Sequence, residues 1–86
     1  MPTISKFFGI LIKMFFNDHG VPHFHIEYEG REAKIAIETG QVIAGSVSPR
    51  ALRLVEEWRQ MHVKELLEDW ELAKSKQPPK KIAPLD

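Results

Sequence analysis

The chain has no cysteine among its 86 residues. Disulfides, thiolate metal ligands and thiol nucleophiles are therefore excluded, and zinc fingers with them. It has no excess of one charge either: 12 Lys and Arg stand against 12 Asp and Glu. No positive field draws the protein onto a phosphate backbone, so any nucleic-acid contact must be local. Long apolar runs are missing too. The opening "FFGILIKMFF" is broken by Lys13, falls short of the roughly 20 residues that span a bilayer, and is not followed by a small-residue cleavage site. The expectation is a cytoplasmic protein without a membrane partner. Glycine-rich phosphate loops and nucleophile elbows are also absent. A chain this short makes one domain and buries only about 60 to 65% of the surface its unfolded form exposes, so a partner or a homodimer would add stability.

What is present is a run of β patterns followed by a helical one. Phe7 to Phe16 reads as a first strand ending at Asp18 and Gly20, with Ile10, Ile12, Met14 and Phe16 on one face. His23 to Glu29 alternates: Phe24, Ile26 and Tyr28 point one way, His23, His25, Glu27 and Glu29 the other. Glu29-Gly30 has the chemistry of a two-residue hairpin turn leading into a third strand, Arg31 to Glu38. That turn pairs Phe24 with Ile35 and Ile26 with Ala33, which keeps the apolar residues on one face. Thr39-Gly40 repeats the device, and Gln41 to Val47 becomes a fourth strand whose Val42 and Ala44 join the same face. Ser48-Pro49 is a helix start, serine as cap and proline at the first helical position. A stripe of Ala51, Val55, Trp58, His62, Leu66, Trp70 and Ala73 carries one helix to about Lys74, until Gln77-Pro78-Pro79 stops it.

The predicted fold is α+β: a four-stranded antiparallel sheet in β-β-β-β-α order, packed against one long C-terminal helix that either overhangs the sheet or bends. Residues 1–75 form the domain, and 76–86 form a basic, proline-rich, disordered tail. A helix of about 26 residues runs about 39 Å, longer than the strands beneath it. Its first half, through Trp58, is expected to seal the sheet. Its second half, with Val63, Leu66, Leu67 and Trp70, is expected to bind a partner.

The chemistry concentrates in "NDHGVPHFHIEYEG", residues 17–30. Two imidazoles at His23 and His25 share one side of a strand, turned away from the helix-covered face, and a nearby third donor would complete a metal site. Asp18 and His19, from the preceding loop, are candidates to fold over that pair, with zinc or nickel as the ion. Asp18 can alternatively orient a histidine by accepting its second ring proton. The same residues, Asp18, His19, His23 and His25, form a candidate acid and base pair for metal-independent cleavage of RNA, with Asp18 or Glu27 as orienter. A structural reading also stands, in which the histidines merely pair across the sheet with Ala36 and Lys34. On the helix, His62 and Glu65 are one turn apart, and His62 reads as a stripe residue packed between Trp58 and Leu66.

The stretches "FFGILIKMFFNDHGVPHFHIEYEG" and "GSVSPRALRLVEEW", with the spacing of Trp58, His62, Glu65-Leu66 and Trp70, resemble the bacterial family named domain of unknown function 4160. The most specific element is the run carried by Asp18, His19, Pro22, His23, Phe24 and His25. Where the family often has two prolines, this chain has Val21 before Pro22. The resemblance extends from Met1 to about Trp70 and implies a small protein often encoded beside another, as in toxin-antitoxin pairs, with no assigned reaction. The leading expectation is an interaction module of such a two-gene system, meeting a small protein from a neighbouring gene or a second copy. The alternatives are the ribonuclease and the His-based divalent metal binder.

Overall fold

Phe8 and Gly9 decide the architecture of the first part of the chain. In the computed structural model, which describes residues 3–16 and 18–86, their φ angles are 50° and 80°, the left-handed values a tight two-residue hairpin turn requires. The stretch predicted as one strand is therefore a hairpin of β1 (Thr3–Phe7) and β2 (Ile10–Lys13), with Phe7 opposite Ile10. A second hairpin joins β3 (His23–Tyr28) to β4 (Arg31–Ala36) through Glu29-Gly30, and it has the predicted register, Phe24 opposite Ile35 and Ile26 opposite Ala33. β5 (Val42–Gly45) completes a sheet of order β1-β2-β3-β4-β5, antiparallel throughout. The sheet has five strands, not the four expected.

β5 also departs from its predicted facing. Val42 lies opposite Ile35, but Ala44 lies opposite Lys34. The extra residue between them, Ile43, makes a bulge that turns Ala44 to the other side of the sheet. Only Val42 joins the row of Ile35.

Ser48 caps α1 (Pro49–Met61), its Oγ accepting the Ala51 amide at 3.2 Å. The predicted single helix is two. His62 leaves helical geometry with φ −133° and ψ 22°, and α2 (Val63–Lys74) begins after it, Leu66 donating its amide to the His62 carbonyl. The break has a packing reason. The fold measures 33 Å along its longest axis, so an unbroken helix of about 39 Å would project past the sheet. With the bend at His62, Leu66, Trp70 and Ala73 of α2 are buried in one core cluster with Ala51, Val55 and Trp58 of α1 and with Ile10, Ile12, Met14, Phe24, Ile26, Ile35 and Ile37. Each Val, Leu, Ile, Phe or Met among them contributes about 1.5–3 kcal/mol on full burial.

The segment after α2, for which composition predicts disorder, is tied to this core. The Ile82 amide donates to the Ile4 carbonyl along the outer edge of β1, the Lys80 amide to Asp69 Oδ1, and Trp58 Nε1 to the Ala83 carbonyl. Ile82 is buried among the core residues, and Leu85 packs half-buried against them. Among the described residues no helix is long and apolar enough to cross a membrane.

Candidate metal centre

β3 alternates as its sequence dictates. Phe24 and Ile26 enter the core, while His23 and His25 lie on the opposite face of the strand, across from Ala36 and Lys34 of β4. The chain between β2 and β3 then brings Asp18 to both rings. Asp18 Oδ2 lies 2.9 Å from His23 Nε2 and 3.3 Å from His25 Nε2, and Oδ1 accepts the His19 amide at 2.9 Å. One donor atom from each of Asp18, His23 and His25 lies within 4.8 Å of the others.

The other nitrogen of His23 fixes its tautomer. Nδ1 is 2.8 Å from the Val21 carbonyl, which can only accept, so Nδ1 carries the proton. When the ring is neutral, Nε2 presents a lone pair toward Asp18. Two states satisfy that geometry: a doubly protonated ring donating to Oδ2, or a cation shared by the lone pair and the carboxylate. Burial holds His25 below the usual imidazole range, repulsion from His23 and Lys34 adds to it, and the Asp18 hydrogen bond offsets it only partly. Burial acts to raise Asp18, but hydrogen bonds from the His19 amide and His25, together with the charge and hydrogen bond that a doubly protonated His23 supplies, outweigh it and leave the carboxyl below its ordinary value. At Asp18 and His25 these shifts give an ionised carboxylate beside a neutral imidazole, the protonation a metal requires.

The rings are enclosed. Phe15 stacks on His25 with centroids 3.9 Å apart, and Trp70 lies 5.0 Å from His23. The two imidazoles are only 4% and 6% exposed. For His23 this corrects the expectation that the imidazoles face away from the helices, because Trp70 of α2 lies against it, whereas His25 is covered by Phe15.

Of the residues expected at the site, Asp18, His23 and His25 converge. His19 contributes its backbone amide, and its exposed side chain stays outside the group. Glu27 does not orient either histidine, because Lys13 of β2 engages it. His62 pairs with Glu65 and packs 5.3 Å from Trp58, as its stripe position suggests. Of the four side chains expected to meet a partner, Leu66 and Trp70 belong to the chain's own core, and Val63 and Leu67 pack half-buried against it. The Val21 carbonyl, Phe15 and Trp70 are the site's unforeseen members. A backbone acceptor carries no sequence signal, and Trp70 reads equally well as an anchor for another chain.

Fold and site together define a small α+β protein with an antiparallel sheet and a buried cluster of two histidines and one carboxylate. The chain belongs to the family described as Domain of unknown function (DUF4160), whose model matches residues 9–71, a span that includes the whole cluster. No curated protein and no solved structure matches it.

Proposed function

We propose that the protein binds a divalent transition-metal ion, zinc or nickel, through Asp18 Oδ2, His23 Nε2 and His25 Nε2. The observation that carries this reading is the convergence of those three atoms while His23 Nδ1 is already committed to the Val21 carbonyl. An outer hydrogen bond of that kind orients a ligating imidazole and raises its basicity. For bonds of 2.0–2.1 Å, the ligand atoms of a tetrahedral site stand about 3.3 Å apart. The two N···O separations of 2.9 and 3.3 Å lie near that edge, and all three donor atoms lie within 4.8 Å of one another. Three protein donors leave a fourth position for water or another ligand, as in reactive rather than purely structural sites. The Asp18 side chain, 19% exposed, is the most accessible of the three.

The ribonuclease reading fits the geometry less well. An acid and base pair must reach two oxygens of a phosphodiester, whereas the imidazoles are buried and directed at Asp18, with Phe15 and Trp70 against them. The two-gene interaction module is supported by exposed apolar residues on β5, and it is compatible with a metal-tied domain.

Equilibrium dialysis of chelator-stripped protein against zinc and nickel tests the proposal. One ion per chain is expected, and none for His23→Ala, with circular dichroism confirming that the variant folds. Wild-type protein that takes up neither ion at micromolar concentration overturns it.

A further inference from the structure

The two edges of the sheet are treated differently. Along β1 the Ile82 amide donates to the Ile4 carbonyl, so the terminal segment occupies that edge. β5, at the other end of the strand order, has no neighbour on its outer side among the described residues. Open edges are ordinarily protected by charged side chains, proline or a covering element. From Thr39 to Ser48 this chain has no charged residue and no proline. Every residue from 41 to 46 is exposed, with Val42 at 39% and Ile43 at 46%. The bulge at Ile43 is the only protective device on this edge.

Beside the edge runs a groove of about 810 Å³ between β5 and α1, with Ile35, Val42, Leu52 and Val55 among its walls and Arg53 and Glu57 at its polar side. Ile35 and Val55 are core residues. The apolar side chains that show in the groove are Val42 of β5 and the half-buried Leu52 of α1, beside the open strand edge. An added strand would supply both the missing backbone partners and the missing cover.

We propose that this edge pairs with β5 of a second copy of the chain, joining two sheets into one of ten strands about a two-fold axis. The charge pattern favours a copy over an unlike partner. An uncharged strand meets its own image without like-charge repulsion. Arg53 and Glu57, which make no ion pair within the chain among the described residues, are opposite in sign on one helix. A two-fold axis can therefore set Arg53 of each copy against Glu57 of the other, the reciprocity an isologous interface requires. Val42 shares the row of Ile35, so its side chain in each copy is directed toward the groove beneath the joined α1 helices.

The test exploits the absence of cysteine. Light scattering on wild-type protein at tens to hundreds of micromolar is expected to show a dimer. Val42→Lys, at an exposed position, should weaken dimerisation roughly tenfold or more without lowering the melting temperature of the monomer. Ile43→Cys, carrying the only thiol in its chain, should form a disulfide-linked dimer on mild oxidation. Arg53→Glu should weaken association, and Arg53→Glu/Glu57→Arg should restore it. A protein that stays monomeric throughout this range overturns the proposal, and so does a dimer insensitive to Val42→Lys. Neither result bears on metal uptake, which the dialysis experiment decides separately.

Discussion

Asp18 Oδ2 stands between two imidazoles, 2.9 Å from Nε2 of His23 and 3.3 Å from Nε2 of His25, and it comes from a loop rather than from the strand that carries them. That asymmetry makes Asp18 the adjustable member of the cluster. The histidines are held by the β3 register, while the carboxylate is brought in by the residues that connect β2 to β3. Asp18→Asn keeps the shape of the side chain and removes its charge. In the absence of metal its amide can donate to the Nε2 lone pair of His23, so the melting temperature of the metal-free protein should change little. Metal affinity should fall by more than the roughly 10- to 100-fold that losing an outer-sphere partner costs. Competition against a chromogenic chelator measures it, and unchanged affinity would remove Asp18 from the ligand set.

Trp70 offers an optical report on the same site. Its ring lies 5.0 Å from His23, while Trp58 packs against Phe7, Phe24 and His62. An open-shell ion quenches a nearby indole efficiently, so nickel should reduce the emission of the wild-type protein in a one-to-one titration. Trp70→Phe should abolish most of that change while dialysis still shows bound nickel. Quenching that persists in Trp70→Phe would mean that the ion sits elsewhere.

How much of this could be read in the chain depends on whether two independent signals agree. At Glu29-Gly30 the turn chemistry and the alternation on both sides point to the same register, and the pairs Phe24 with Ile35 and Ile26 with Ala33 follow. At Phe8-Gly9 the flanking residues are apolar on both faces, so parity says nothing and an aromatic residue hides the turn. The helix break had no local mark at all. The apolar stripe continues through His62 without glycine or proline, and the bend follows from the distance the core can cover. In the site, period-two geometry placed His23 and His25 together. The approach of Asp18 belongs to a loop, and the burial of His23 depends on the same bend that brings Trp70 back.

The turn at Phe8 yields a prediction about stability. A residue with a Cβ held at φ 50° costs roughly 1–2 kcal/mol unless, like asparagine, its side chain can hydrogen-bond locally. Phe8 is half exposed, and its edge-on contact with Phe7 is long, 6.4 Å between centroids. Phe8→Asn should therefore stabilise the protein by about 0.5–1 kcal/mol. Chemical denaturation with an unchanged m-value checks it, and a loss of stability would show that Phe8 contributes packing the turn depends on.

Asp69 poses the opposite case, a carboxylate the fold tolerates poorly. Its Oδ1 accepts the Lys80 amide at 2.8 Å, but Oδ2 is buried without a partner. Burial raises its pKa above the ordinary carboxylate value, and repulsion from Glu65 and Glu68 adds to this, against the opposing Lys80 amide and ammonium. The folded state thus holds the proton more tightly than the unfolded chain does. The contribution of Asp69 to stability is then fully present below its unfolded pKa, and it is lost as pH rises through the folded value. Asp69→Asn keeps the acceptor for Lys80 and removes the titration. Its advantage over the wild type should be smallest near pH 3.5, grow as pH rises from the unfolded pKa through the raised folded one, and level off above that. Thermal melts of both proteins from pH 3.5 to 7 reveal this. A stability difference that stays constant across the range would show that Asp69 titrates alike in the folded and unfolded chains.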